Sequence, residues 1–190
     1  MKKLIAVLCV GLFLAGCSSQ ETKAPQAPAA DVKGQRQEAA KKVFAQSMLL
    51  LQQKNLKGAV ENLRASIALD PTDPNPYLVL GQLLIKAEQF TSAVEFLDQA
   101  AKTFPDNGTM FYMLSVANKL AGNKLPSVLA ARRSYEIFNA SGDAANARTS
   151  AMLLEELVQE AQAEQKVTDA KSAADAVKVD QGAVSVAVTK

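Results

Sequence analysis

Thirty-four residues separate Ala59 from Ala93, Leu63 from Leu97 and Pro71 from Pro105, and the same offset carries Leu80 onto Leu114. No other feature of the chain constrains its fold as much. This is the period of a solenoid of helix-turn-helix units, each too small to bury its apolar face alone, so that neighbours must stack to form a core. Such a stack offers an extended surface for binding and argues against an isolated catalytic globule.

Composition points the same way. The 190-residue chain is 48 % hydrophobic, much of it Ala, but only 5 % aromatic, a mixture that suits close-packed helices better than sheets. It contains neither His nor Trp. Without His, no Ser-His-Asp or Cys-His nucleophile and no His-containing zinc site can be built. Carboxylate or lysine chemistry stays formally open. Glu61 and Glu95, however, share one repeat position a hairpin apart, which suits two solvated surface acids better than a catalytic pair. The expectation is a chain that is not an enzyme and carries no cofactor or metal. Its formal charge of +2 includes Lys2 and Lys3. Without them acids and bases balance, and nothing points to nucleic acid.

Met1-Lys2-Lys3 is a short basic start, and residues 4–15 form an apolar stretch too short for a comfortable membrane span but suited to a signal peptide. The stretch ends in Leu14-Ala15-Gly16-Cys17, which resembles the lipobox of bacterial lipoproteins. That resemblance implies removal of residues 1–16 as signal peptide, diacylation of the Cys17 sulfur and acylation of the new amine. Cys17 would thus carry a covalent lipid and act as the anchor. Each buried methylene contributes about 0.8 kcal/mol, and two or three acyl chains hold where one is marginal. Cys9 would leave with the signal peptide, so the mature chain would have no disulfide. Ser18 stands where an Asp would favour retention in the inner membrane. The implied location is the outer membrane, lipid-anchored and facing the periplasm, or the cell-membrane surface in an organism without an outer membrane. Residues 17–36, with Pro25 and Pro28 and no apolar period, read as the acylated Cys and a flexible tether.

Helical spacing begins near Ala39. Val43, Gln46, Ser47 and Leu50, then Ala59, Leu63, Ser66 and Pro71, lie over Tyr77, Leu80, Gly81 and Leu84, then Ala93, Leu97, Ala100 and Pro105. The second set resembles the tetratricopeptide repeat, with its Leu-Gly pair on helix A, small residues on helix B and a corner Pro. Repeat one is read over residues 37–73 and repeat two over 74–107. A degenerate third, 108–141, keeps Phe111, Leu114, Ser115, Asn118, Ser127, Ala131 and Ser134, while Pro126 enters helix B and Asn139 replaces the corner Pro. Residues 142–166 read as a capping helix started by Asp143, with Ala147, Ala151, Leu154, Val158 and Ala161 as its apolar stripe. Residues 167–190 read as a disordered tail, although 171–177 could prolong the helix through their Ala content and 184–188 alternate with β-like period. The fold class expected is all-α: a tetratricopeptide-type solenoid of about three hairpins plus a cap, between a disordered tether and that tail.

In tetratricopeptide proteins the inner helices line a concave groove through positions two, five, nine and twelve of each repeat. Those positions here are Lys41, Phe44, Met48 and Leu51; Asn75, Leu78, Gln82 and Ile85; Thr109, Tyr112, Val116 and Lys119. The partner-binding groove is assigned to Phe44, Met48, Leu51, Leu78, Gln82, Ile85, Tyr112, Val116 and Lys119. Some members of the family grip a C-terminal carboxylate with Lys and Asn. Phe44, Met48, Thr109 and Met113 stand where such a clamp would need its polar residues, so an apolar or amphipathic protein segment is the expected ligand. The resemblance implies a membrane-anchored scaffold or adaptor in the bacterial envelope, as a subunit of pilus or secretin assembly, outer-membrane protein assembly or peptidoglycan-enzyme docking. Two alternatives remain. One is a carrier or enzyme acting on a small apolar ligand, which needs a closed cavity. The other is a structural lipoprotein that self-associates through its last helix.

Overall fold

Short polar side chains set the helix starts. Asn55 Oδ1 accepts from the Gly58 amide at 3.1 Å, Asp73 from Asn75 at 2.9 Å, Asn107 from Met110 at 3.0 Å and Asp143 from Asn146 at 3.1 Å. Each satisfies an amide that has no partner within its own helix. The computed structural model, which describes residues 29–186 and side chains over 32–169, contains seven helices, four of them begun by these caps. The helices are α1 (Ala29–Gln52), α2 (Leu56–Leu69), α3 (Pro74–Lys86), α4 (Phe90–Thr103), α5 (Gly108–Leu120), α6 (Lys124–Ala140) and α7 (Ala144–Val186). No strand occurs among the described residues.

The helix ends repeat with the same period. Lys54, Glu88 and Gly122 all adopt the left-handed region, with φ of 60°, 57° and 79°. After each, an amide reaches back across the last turn: Asn55 to the Leu50 carbonyl, Gln89 to Leu84 and Asn123 to Asn118, at 2.8–3.0 Å. This closure turns helix A into helix B within three residues. Of the three, Gly122 alone adopts it without a Cβ penalty.

Packing relies on small residues at the helix crossings. Ala59, Leu63, Ala93, Leu97, Met110, Ala117 and Ala131 are fully buried. A Cβ on Gly81 would lie 2.5 Å from Leu97 Cδ2, so α3 and α4 approach closely only because that position is Gly. Tyr77 on α3 stacks on Phe96 of α4 and meets Phe104 edge-on, with centroids 5.9 and 5.2 Å apart. Burial, and then the nearby Asp70 carboxylate, push the Tyr77 phenol above its ordinary pKa.

The third hairpin is regular despite its sequence. Pro126 sits in the first turn of α6, where a missing N–H breaks no intrahelical bond. Serines replace the usual small apolar residues at its crossings, and their hydroxyls are all engaged. Ser115 Oγ donates to the Ser127 carbonyl and Ser127 Oγ to the Ser115 carbonyl, both at 2.9 Å. Ser134 Oγ donates to the Gly108 carbonyl and lies 2.8 Å from Ser150 Oγ on α7. Among the described residues no buried side-chain nitrogen or oxygen lacks a partner.

Two boundaries and one buried face differ from the sequence reading. Helix α1 begins at Ala29, so residues 29–36 of the expected tether are helical; after Pro28 the helix formers Ala29, Ala30, Lys33, Gln35 and Arg36 favour a helix despite the weak apolar period. Helix α7 continues to Val186 through residues that read as tail, where Ala and Lys outweigh the alternating Val at the end. Residues 187–190 lie outside the described part. The buried seam of α7 is Ala147, Ser150 and Leu157, with Ala151 and Leu154 half-buried, whereas Val158 and Ala161 are exposed. Ser150 is invisible to an apolar count, yet its bond to Ser134 sets which face of α7 meets α6.

Candidate partner-binding groove

Helices α3 and α5 are the A helices of the second and third hairpins, and they touch directly. Leu78, Gln82 and Ile85 fall on one face of α3 at helical spacing, and Thr109, Tyr112 and Val116 occupy the corresponding face of α5. Together with Val79, Lys86 and Met113 they line an open groove of ≈ 450 Å³. Its aliphatic and aromatic members are half-buried, while Gln82, Lys86 and Thr109 are exposed. Leu78, Ile85 and Met113 also rest on the core beneath. One side of each holds the stack together, and the other faces the groove.

Six of the twelve inner positions are thus brought together. Phe44, Met48 and Leu51 do not line this groove; they lie on α1, Phe44 and Leu51 half-buried and Met48 39 % exposed. Lys41 pairs with Glu38 at 2.9 Å, and Asn75 donates to Asp73 at 2.7 Å. Lys119 is engaged by the chain itself: its Nζ lies 2.7 Å from Glu156 and 3.0 Å from Glu160, both on α7. Its hydrogen bonds to those two carboxylates raise its pKa above the ordinary lysine value. The cation at the end of α5 is therefore part of the cap's attachment. Val79 and Met113 line the groove although the family's inner positions omit them. They are one period apart, and that equivalence was the available signal.

Chemically, the groove offers aliphatic walls, an adaptable thioether, the Tyr112 ring and a sparse set of donors in Gln82, Thr109 and Lys86. Among the described residues there is no group of three or more acidic or Cys side chains able to hold a metal. No described helix is long and apolar enough to cross a membrane. Cys17 lies outside the described residues.

These features define a tetratricopeptide-type helical-hairpin solenoid. Residues 50–115 match the sequence family described as Tetratricopeptide repeat. No curated protein matches the chain. Solved structures of similar fold include PcrH from Pseudomonas aeruginosa, at 15 % identity over 64 % of this chain and 92 % of that one, TM-score 0.58. PcrH in complex with the chaperone binding region of PopD aligns at 14 % identity over 65 % and 93 %, TM-score 0.59. The TPR2B-domain:pHsp70 complex of yeast Sti1 aligns at 15 % identity over 64 % and 97 %, TM-score 0.58. At these identities the likeness is one of fold.

Proposed function

We propose that this chain is a non-enzymatic, lipid-anchored scaffold or adaptor of a bacterial cell envelope, and that it holds an apolar or amphipathic segment of a protein partner between α3 and α5. One observation carries the reading: Leu78, Ile85, Tyr112 and Val116 line a single open groove with few charges. An open trough of this kind suits an extended or helical segment better than a small enclosed ligand. The PcrH and Sti1 complexes pair the same fold with protein ligands, which supports the reading by analogy of fold.

The anchor rests on the Leu14-Ala15-Gly16-Cys17 motif. Acylated at Cys17 and facing the periplasm from the outer membrane, the solenoid would serve an envelope assembly machine by docking one component beside the membrane. In-cell crosslinking tests the groove. Leu78→Asp and Tyr112→Asp, each checked for helical content and thermal unfolding, are expected to lose the crosslinked partner; if both stay folded and keep every partner, the groove is not the site. Cys17→Ser is expected to move the chain from the membrane to the soluble fraction. Unchanged attachment and processing would refute the anchor.

A further inference from the structure

A second depression lies on the other side of α3. By helical geometry Leu80, Leu83 and Leu84 point away from Leu78, Gln82 and Ile85. With Leu56 and Val60 of α2 they line a cleft of ≈ 580 Å³ between α2 and α3. Leu56 at its edge is 59 % exposed. Three cations, Lys57, Arg64 and Lys86, border the cleft against one carboxylate, Glu61. Among the described residues none of these three cations forms an ion pair, whereas Lys41, Lys102, Lys119, Lys124 and Arg133 all do.

The period of the chain shows that this decoration belongs to one junction only. One period on, Lys57, Arg64 and Lys86 become Thr91, Asp98 and Leu120, while Glu61 stays acidic as Glu95 and Val60 stays Val94. The cleft floor changes as well. Leu83 and Leu84, both half-buried, are replaced by Ala117 and Asn118, both buried, and Asn118 donates to the Leu114 carbonyl and accepts from Asn123. An apolar recess with a basic border is thus specific to the α2–α3 junction and is not a by-product of the repeat.

We propose that this cleft is a second docking site, taking an acidic amphipathic protein segment whose aliphatic side chains enter between α2 and α3 and whose carboxylates meet Lys57, Arg64 and Lys86. Complementary charge selects such a partner and speeds its approach, while the recessed leucines supply the contact area. An anionic bilayer shares the charge preference, but most of the apolar surface is recessed between two helices, where a projecting side chain reaches it better than a lipid surface does.

Two fluorescent synthetic amphipathic helices with one leucine stripe, flanked in one case by Glu and in the other by Lys, test this against the full chain. The Glu peptide is expected to bind about tenfold more tightly, with an advantage that shrinks as salt is raised. Lys57→Glu/Arg64→Glu changes exposed residues of α2 that lie outside the α3–α5 groove, and is expected to abolish that advantage. Leu78→Asp/Tyr112→Asp is expected to leave it intact, which separates this site from the groove. Equal binding of the two peptides, or a Glu preference that survives Lys57→Glu/Arg64→Glu, overturns the proposal. So does charge-dependent binding to phosphatidylglycerol vesicles without binding of the Glu peptide.

Discussion

The junction between the first and second hairpins and the joints of the C-terminal half solve the same packing problem with different chemistry. Between α2 and α3 the contact is aliphatic, leaves a cleft beside Leu83 and Leu84, and is crossed by no described side-chain hydrogen bond. From α5 onward the crossings are closed by hydroxyls and ion pairs: Ser115 with Ser127, Ser134 with Gly108 and Ser150, Arg133 with the Pro105 carbonyl at 3.2 Å and Lys119 with α7. Aliphatic contacts are non-directional and tolerate a gap, whereas paired hydroxyls fix register and must all be made at once. Such a difference predicts a compliant joint near the N-terminal end and a stiffer body behind it, with local stability uneven along the solenoid.

The largest test of that contrast uses equivalent residues one period apart. Leu63 and Leu97 are both fully buried, so burial alone predicts equal losses on truncation. If the first joint is compliant, Leu97→Ala should cost about 4–5 kcal/mol and Leu63→Ala only about 2–3 kcal/mol, because the first hairpin can settle into the space. Hydrogen exchange should then show α1 and α2 opening before α5 to α7 in the Leu63 variant. Equal costs with uniform exchange would end the comparison.

Filling the two joints should separate them further. Val60→Phe enlarges a side chain that faces the α2–α3 cleft and should be tolerated, with little change in thermal midpoint. Val94→Phe, at the same repeat position and packed against the core cluster that includes Ala117, should overpack its site at a cost of about 1–3 kcal/mol. A smaller effect is expected from the serines. Ser115→Ala leaves the Ser127 carbonyl without its hydroxyl donor and should cost about 1–2 kcal/mol, and Ser127→Ala likewise; the double variant should cost somewhat less than the two singles added, since each single already loses the shared hydroxyl–hydroxyl contact at 3.3 Å. Additive losses would mean that the hydroxyls act independently.

Much of this architecture is legible in the period, and the misses share a cause. Pro71, Pro105, Gly81 and Ala93 locate corners and crossings because backbone geometry leaves few alternatives there. Half of the groove follows from the same arithmetic, since Leu78, Ile85, Tyr112 and Val116 occupy inner positions of regular repeats. Phe44, Met48 and Leu51 occupy those positions too, but the inner surface forms only where neighbouring A helices meet, and sequence equivalence does not report how closely two hairpins dock. The cleft was missed for a related reason: Leu80 and Leu84 read as repeat positions, Leu83 carries no signal of its own, and only the change from Lys57, Arg64 and Lys86 to Thr91, Asp98 and Leu120 distinguishes a surface recess from a filled joint. In α7 the seam slipped because Ser150 counts as polar in any pattern, although a paired hydroxyl packs as a small core residue.

The smallest effect belongs to the tie between α5 and α7. Lys119 keeps its proton more firmly than an ordinary lysine because Glu156 and then Glu160 accept hydrogen bonds from it. A group whose pKa is raised by folding contributes stability that is fully present below its unfolded value and is lost as pH rises through its folded one. The attachment of α7 should therefore be insensitive to pH across the neutral range and loosen as pH rises above the usual lysine region. Because the ammonium and both carboxylates are partly solvated, Lys119→Ala should change global stability by less than about 1 kcal/mol, and added salt should shrink the difference. Its readout is local: amide exchange around Glu156 and Glu160 should quicken in the variant while α1 to α4 stay unchanged. A loss that spreads to α2 and α3 would show that the polar half supports the compliant joint, and the two regions would then have to be treated as one cooperative unit.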